Sequence, residues 1–237
     1  MGGTAIGTGL NAPKGYAQKC ADHLGKITLL PIRLAEDLVE ATQDTQAFVL
    51  YSSVLKSLAI KLAKVGNDLR LLSSGPRCGL HEINLPATQP GSSIMPGKVN
   101  PVIPEVTNMV AYRVMGNDMV VTLSAEAGQL QLNAFEPVMA AVIFESQTLF
   151  VNAANTLRKF CVEGITANAD VCQHYLESSI GTVTALNPVI GYDKGAEIVK
   201  EAAESGRLLR EVAYEKGVDE ATYNKAMDLR KMAQGNL

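Results

Sequence analysis

A short segment between residues 91 and 105 concentrates side chains that can take part in acid–base chemistry. It reads Gly91-Ser-Ser-Ile-Met-Pro-Gly-Lys-Val-Asn100, continues with Pro101 and reaches Glu105. Two hydroxyls, a cation, an amide and a carboxylate stand among glycines and prolines, which favour loops over regular elements. A hydrophobic core has little use for such a mixture. The segment is therefore the first candidate for a functional site.

The chemistry that suits these side chains is removal of a proton from a carbon next to a carboxylate. This step needs a base, together with fixed donors placed where negative charge develops. Ser92 can serve as the base only if its alkoxide is stabilised. Backbone N–H groups of the turn, Lys98 and the positive end of a helix beginning near Pro104 can each contribute. Lys98 and Asn100 offer a cation and an amide to a substrate carboxylate.

Two other interpretations of the segment are weaker. A phosphate-binding loop has four residues between its first glycine and the Gly-Lys pair, and then Ser or Thr. Here five residues separate Gly91 from Gly97, Val99 follows the lysine, and two prolines within residues 85–90 exclude a central strand before the loop. A surface loop without a functional role would explain the glycines and prolines of the segment, but it would not explain why so many polar side chains are concentrated there.

Composition limits the class of protein. The chain has 237 residues, which suggests one or two domains. Apolar residues make up 47% and charged residues 19%, so much surface should be buried, including surface between subunits. The net charge is −3, so the chain has no excess of positive charge of the kind that binds nucleic acid. No apolar run looks long enough for a membrane span, and the N-terminus has no signal-peptide pattern. We therefore expect neither nucleic-acid nor membrane partners.

The cysteines and histidines have no spacing typical of a metal or redox site. The four cysteines, Cys20, Cys78, Cys161 and Cys172, lie far apart, and the three histidines are not clustered with them. We expect reduced thiols, a cytoplasmic protein and no bound metal. His81 is the histidine nearest to the polar segment in sequence.

Most of the chain has a helical pattern. From Glu36 to Leu72 only Gly66 interrupts a stretch without Gly or Pro. Apolar residues recur there every seven positions, which predicts one long bundle helix of roughly 50 Å with a Leu/Val core stripe. The stripe comprises Ala41, Phe48, Leu55, Leu62 and Leu69, with Leu58, Val65 and Leu72 three positions on.

Helix breakers at residues 73–76 should end this helix. A loop over 77–103 would then carry the polar segment. A second helix is predicted over about 104–126 and a third over about 129–160, with a kink at Pro137.

The sequence pattern changes after Gly164, where glycines and a proline separate short helical segments. We predict an all-α protein with two domains. A long-helix bundle occupies residues 1–165 and includes the signature loop at 91–101. A small helical domain occupies residues 166–237. The glycine-rich opening at residues 2–11 follows no strand, so it is weak evidence for dinucleotide binding.

Several segments resemble one family. Residues 91–101 resemble the signature loop of the aspartase/fumarase superfamily, whose members eliminate across a C–N or C–O bond and release fumarate. The whole chain resembles the C-terminal half of an aspartase. His81 stands where aspartases carry Asn, and fumarase remains the alternative. The other segments that carry the resemblance are residues 2–11, 67–77 and 79–86, and residues 125–133, which favour aspartases over fumarases.

The resemblance implies a role for each polar residue of the loop. Ser92 resembles the general base, and Ser93 resembles the contact to the substrate β-carboxylate. Lys98 and Asn100 resemble the residues that hold the α-carboxylate. Glu105 resembles the carboxylate that orients a histidine supplied from elsewhere.

The resemblance also implies a fold and an activity. The fold is the central bundle of long helices with a small C-terminal helical domain. The activity is the reversible deamination of L-aspartate to fumarate and ammonia, without a required cofactor, in a homotetramer whose active sites each draw on three subunits. The histidine and further carboxylate-binding segments belong to the family's N-terminal half, so the chain should be a fragment that is inactive by itself. A non-catalytic helical assembly module is the other function class.

Overall fold

The computed structural model describes residues 3–234 and divides the chain into two compact units. The first unit contains the residues up to Gly79 together with Leu85–Ile165. The second contains Leu80–Asn84 together with the residues from Thr166 on. Regular structure is almost entirely helical, which confirms the predicted all-α class. Gly2, at the start of the glycine-rich opening, lies outside the described residues.

Three long helices dominate the first unit. α3 packs along α4, and α4 packs along α5, so α4 is the middle helix. A 3₁₀ turn at Val162–Gly164 follows the last of them. The helices are α1 (Tyr16–Thr28), α2 (Glu40–Gln43), α3 (Gln46–Leu72), α4 (Val102–Glu126) and α5 (Glu136–Phe160).

α3 and α4 run antiparallel and are joined by polar contacts. Asp118 accepts hydrogen bonds from Ser52 Oγ at 2.8 Å and Lys56 Nζ at 2.6 Å. Further along, Asn108 Nδ2 donates to Asn67 Oδ1 at 2.5 Å. Residue numbers thus rise on α3 as they fall on α4. Because buried polar groups need matched partners, these pairs fix the register of the two helices.

α4 and α5 are also antiparallel. Arg113 on α4 forms an ion pair with Glu145 on α5 at 3.0 Å, while Val121 packs with Met139. Asn117 Nδ2 donates to Glu145 at 2.8 Å. The hydrogen bonds from Asn117 and then Arg113 hold the pKa of the Glu145 carboxyl below its usual range.

The single helix predicted over residues 36–72 is interrupted. α2 ends at Gln43 and α3 begins at Gln46, with Asp44 in an extended conformation between them. Asp44 Oδ1 accepts a hydrogen bond from the Gln46 N–H at 3.3 Å. Such local side-chain bonds compete with the helical ladder and favour a break. The 27 residues of α3 span about 40 Å instead of 50 Å.

The predicted Leu/Val stripe is not the core of this chain, and that prediction was wrong. Of the stripe only Leu55 is buried, while Leu58 and Val65 are each 45% exposed. A β-carbon on Gly66 would lie 2.5 Å from Asn108 Oδ1, so the small residues let α3 and α4 approach closely. The buried face of α3 consists of Ser52, Leu55, Ala59, Ala63 and Gly66.

The third long helix begins later than predicted. α5 starts at Glu136, and Pro137 lies in its first turn, where its missing N–H removes no intrahelical bond. No kink at Pro137 is therefore required. Asn133 organises the preceding turn, since its side chain donates to the Ser124 carbonyl at 2.9 Å and accepts from the Phe135 N–H at 2.8 Å.

One helix of the described chain has the length and composition of a membrane span, contrary to the sequence-based expectation. It covers Glu136–Gly164 with a mean hydropathy of 1.2. Length and composition alone are weak evidence for a span, because helices of water-soluble bundles have the same properties. Met139 and Ile143 of this helix are buried together with Val121 of α4, and this burial accounts for part of its apolar composition.

The second unit is small and helical. β1 (Ile83–Asn84) pairs antiparallel with β2 (Thr166–Ala167), which brings residues 80–84 into this unit. Leu186, Ile198 and Val212 are completely buried at the centre of its core. A 3₁₀ segment at Ile180–Ala185 lies between the first two of its helices. These helices are α6 (Ala169–Ser178), α7 (Asn187–Ile190), α8 (Tyr192–Ser205), α9 (Leu209–Glu215), α10 (Glu220–Ala226) and α11 (Leu229–Ala233).

Candidate active site

The polar segment forms a loop whose two ends are tied together directly before α4. The Gly91 N–H donates to the Lys98 carbonyl at 2.6 Å, and Asn100 Nδ2 donates to the Gly91 carbonyl at 3.2 Å. Gly91 and Asn100 are half-buried, whereas residues 93–99 are exposed. We call the contacts among Gly91, Lys98 and Asn100 the neck of the loop.

Ser92 lies directly inside the neck, in a tight turn. Its Oγ accepts hydrogen bonds from the backbone N–H groups of Ile94 and Met95, each at 3.2 Å. The side chain is half-buried. Hydrogen bonds donated to an oxygen favour its anionic form. The turn therefore provides two donors at the atom that sequence analysis predicted to be the base.

Ser93 and Lys98 are exposed on the loop. Within residues 3–234 neither side chain has a hydrogen-bond or ion-pair partner in the structure. Gly97 has φ of 78°, a left-handed conformation that glycine adopts at little cost, and it turns the chain just before Lys98. Both side chains are thus available to a ligand of the loop.

Glu105 lies in the first turn of α4, close to where sequence analysis placed it. The helix begins at Val102 instead of residue 104, with Pro104 in the first turn. The Glu105 carboxylate is half-buried and has no ion-pair partner among the described residues. A carboxylate in a first helical turn is stabilised by the helix dipole. Its orienting role remains a prediction.

An open groove of about 680 Å³ adjoins the stem that leads into the loop. The stem contributes Pro86, Ala87 and Thr88, and the end of α5 contributes Lys159 and Phe160. Lys159 Nζ lies 5.2 Å from the centre of the Phe160 ring, a cation–π arrangement. None of the five predicted site residues lines this groove.

The remaining histidines and cysteines do not gather into a centre. His81 lies in the second unit, where its carbonyl accepts a hydrogen bond from Asn168 Nδ2 at 2.8 Å. All four cysteines are free thiols, and burial raises the pKa of the Cys161 thiol. Across residues 3–234 no group of three or more His, Cys, Asp or Glu side chains is arranged to hold a metal.

Sequence analysis missed the polar contacts between the long helices. Asp118 and Asn117 are almost fully buried at adjacent positions of α4, and they are hydrogen-bonded to α3 and α5 respectively. Ser52 and Lys56, four residues apart on α3, reach the same carboxylate. This helical spacing of polar residues inside an apolar pattern was the available signal.

Family models match most of the chain. A model described as a lyase matches residues 1–116, and a model of the fumarase C C-terminus matches residues 183–234. The first match includes the whole signature loop and Glu105. The second lies in the small helical unit.

Individual relatives agree with these matches. The aspartate ammonia-lyase of Corynebacterium glutamicum is 58% identical over 94% of this chain and 42% of its own length. The cobalt-bound structure of a fumarate lyase (delta crystallin) from Brucella melitensis has a TM-score of 0.92 at 52% identity, over 98% of this chain and 50% of its own. The class II fumarase of Schistosoma mansoni has a TM-score of 0.90 at 35% identity, over 98% of this chain and 52% of its own.

The chain spans about half the length of the relatives that it matches. Within that half, the identity extends over nearly the whole chain, and the solved structures share its fold. The chain therefore belongs to the lyase family that contains the aspartate ammonia-lyases and the class II fumarases.

Proposed function

We propose that this chain supplies the signature-loop part of an aspartate ammonia-lyase, which converts L-aspartate to fumarate and ammonia. The observation that carries the proposal is the pair of backbone N–H groups, from Ile94 and Met95, that point at Ser92 Oγ. A serine is a poor base unless its anion is stabilised, and these two donors supply that stabilisation without a metal or another cofactor.

The loop has the groups needed to recognise a dicarboxylate. Lys98 provides a cation, and Asn100 provides a second amide hydrogen beyond the one that it donates to Gly91. These two residues would hold the α-carboxylate, and the Ser93 hydroxyl would contact the β-carboxylate. A charge-assisted hydrogen bond is the stronger kind, so Lys98 should contribute most to binding.

In the proposed reaction, the Ser92 alkoxide takes one proton from Cβ of L-aspartate. The electron pair of the broken C–H bond first collects on the β-carboxylate as an aci-carboxylate dianion. It then forms the C=C bond while the C–N bond breaks and ammonia leaves. Fumarate remains, the ammonia takes up a proton from solvent, and Ser92 passes its own proton to solvent. Excluding water while the dianion exists would strengthen every stabilising contact.

The proposal assigns the remaining parts of the site to other segments. Glu105 would orient a histidine that this chain does not supply, since its carboxylate has no ion-pair partner within the described part of the chain. We propose a homotetramer in which each site draws on several subunits, in the cytoplasm. The exposed apolar side chains of the long helices, such as Leu58 and Val65, support association.

The test is a product analysis on a full-length enzyme in which this chain supplies the C-terminal half. Equal amounts of fumarate and ammonia formed from L-aspartate would support the proposal. Formation of L-malate from fumarate, with no ammonia released from L-aspartate, would identify a fumarase instead. No turnover of either substrate by a folded tetramer would leave only the assembly function.

The identities favour the aspartate ammonia-lyase over the fumarase. The chain is 58% identical to the Corynebacterium glutamicum aspartate ammonia-lyase but 35% identical to the Schistosoma mansoni class II fumarase. The segment 125–133 points in the same direction. His81 departs from the aspartase pattern; it belongs to the second unit.

A further inference from the structure

The neck of the signature loop is built from contacts that a ligand-binding role alone does not require. Asn100 follows the loop and donates its side-chain N–H to the Gly91 carbonyl, at the opposite end of the loop. The Gly91 N–H in turn donates to the Lys98 carbonyl at 2.6 Å. Both polar atoms of the Gly91 backbone are therefore used to close the neck.

The close approach at the neck depends on the absence of a side chain at residue 91. A β-carbon there would lie 2.8 Å from the Lys98 carbonyl oxygen and 3.0 Å from the Asn100 backbone nitrogen. Both partners are backbone atoms, so they have little freedom to move away. Gly91 has an ordinary negative φ, so the glycine is needed for space and not for an unusual backbone angle.

The neck also determines where Ser92 stands. Ser92 is the first residue inside it, and its Oγ receives its two hydrogen bonds from residues 94 and 95 within the same loop. Residues 93–99 are exposed. Ties at the two ends of such a segment restrict every residue between them.

We propose that Asn100 is a positioning residue that holds the neck closed through the Gly91 carbonyl and so fixes Ser92 for proton abstraction. The inference rests on the proposed function in taking Ser92 as the base. An asparagine amide has two N–H donors. One can hold the neck while the other receives the substrate carboxylate, and this couples substrate binding to the position of the base.

The first experiment needs neither substrate nor activity. Amide hydrogen exchange of the purified chain is measured by NMR for wild type, Asn100→Ala and Asn100→Asp. Loss of one hydrogen bond should raise the exchange rates of the Gly91, Ile94 and Met95 amides about fivefold. Ser93→Ala is the matched control, because the exposed Ser93 side chain has no partner in the described structure, and its loop amides should exchange as in wild type.

Gly91→Ala opens the neck from the other side and leaves the Asn100 side chain intact. It should produce the same rise in exchange, and it guards against the case in which the Asn100 variants do not fold. Wild-type exchange rates in every folded variant at residues 91 and 100 would overturn the proposal, whatever the enzyme's activity.

The second experiment uses the full-length enzyme and compares kcat with KM for L-aspartate. Gly91→Ala should lower kcat about tenfold or more with little change in KM, because it misplaces the base but removes no substrate contact. Asn100→Ala should change both. Either a Gly91→Ala enzyme with wild-type kcat or an Asn100→Ala enzyme that changes KM alone would overturn the positioning role of Asn100. Neither result would affect the assignment of Ser92.

Discussion

In the proposed reaction Ser92 Oγ would have two functions, because it accepts hydrogen bonds from two N–H groups of the turn and would also remove the substrate proton. The two hydrogen bonds are 3.2 Å long, at the weak end of the normal range. They would strengthen once the oxygen carries a charge, since charge-assisted hydrogen bonds are shorter and stronger. This change favours the charged state that catalysis needs.

Replacement of Ser92 by alanine in the full-length enzyme should lower kcat by roughly a thousandfold or more, because the base is lost. KM for L-aspartate should change little, and circular dichroism should show that the fold survives. The assay measures ammonia release from L-aspartate. A near wild-type rate for Ser92→Ala would remove Ser92 from the role of base.

Replacement of Lys98 by methionine tests carboxylate recognition. A hydrogen bond to a charged group contributes roughly 1.5–3 kcal/mol, so Lys98→Met should raise KM for L-aspartate about tenfold or more. Inhibition by other dicarboxylates should weaken in parallel. Lys61→Met, which removes an exposed cation on α3, is the matched control and should keep the wild-type KM. Equal KM values for the two variants would place Lys98 outside the site.

At the scale of elements, the bundle depends on a close approach of α3 and α4 near the start of α4, the helix that follows the signature loop. Gly66 faces the Pro104 carbonyl oxygen and the side-chain oxygen Oδ1 of Asn108. The Asn108 Oδ1 atom is buried and has no hydrogen-bond partner within the described chain. A β-carbon at residue 66 would be 3.3 Å from the carbonyl oxygen and 2.5 Å from the amide oxygen. The first turn of α4, which carries Glu105, is therefore held by this contact.

Two glycine-to-alanine substitutions separate helix propensity from packing. Gly66→Ala should destabilise the chain by about 1–3 kcal/mol, since overpacking outweighs the gain in propensity. Gly116→Ala on α4 is the matched control: a β-carbon there meets nothing within 4 Å, so it should stabilise by about 1 kcal/mol. Urea denaturation followed by circular dichroism measures both. Stabilisation by Gly66→Ala would disprove the close packing.

The second unit offers a test of pH dependence. Asp219 caps α10, and the hydrogen bond from the Thr222 N–H holds the pKa of its carboxyl below the usual range. A group with a lowered pKa stabilises the fold above its unfolded pKa, and that stability is lost as pH falls through the folded pKa. Asp219→Ala should destabilise the chain at neutral pH, because the capping hydrogen bond is lost.

The difference in stability between wild type and Asp219→Ala should shrink as pH falls through the acidic range in which Asp219 becomes protonated. Denaturation curves at neutral and strongly acidic pH provide the comparison. Glu220→Ala at the next position is a suitable control, because the Glu220 side chain accepts no capping hydrogen bond in the described structure. A pH-independent difference for Asp219→Ala would show that the carboxylate does not cap the helix.

At the scale of the whole molecule, the long helices expose more apolar surface than a monomer usually carries. Large apolar side chains on the outside of α3, α4 and α5 are half-exposed or more, among them Leu50, Ile60, Met109, Tyr112, Met119, Leu123, Phe144 and Val151. Surface of this kind is typical of interfaces. The buried faces of the same helices are narrow and rich in small residues, so the chain alone does not cover these side chains.

The isolated chain should therefore associate and yet be inactive. Sedimentation should detect an oligomer, because burial of the exposed apolar faces favours association. L-aspartate should not be converted, because the chain spans about half the length of its relatives and, in our proposal, the segments that orient the second carboxylate and the leaving amine lie in the other half. Loss of positioning costs many factors of ten in rate. A stable monomer would contradict the expected association. Measurable formation of fumarate would contradict the expected inactivity.

The sequence by itself determined the helical class and the position of the loop that carries the predicted site residues. Gly and Pro mark the ends of helices through local backbone preferences, so residues 73–76 and the loop at 91–101 were predicted in the right places. The resemblance of the loop and its flanking segments predicted the family, which the comparisons confirmed. These features depend on residues close together in the chain.

The tertiary structure alone decided which face of each helix is buried and how the loop is held. The seven-residue repeat of α3 predicted a Leu/Val core, but Ala59, Ala63 and Gly66 face α4 because they permit close approach. Of the predicted stripe only Leu55 is buried with them, whereas Leu58 and Val65 are exposed. Likewise, the sequence offered Asn100 as a ligand, while the structure brings its amide to the Gly91 carbonyl nine residues away. Such contacts depend on the partner surface, which a local pattern does not contain.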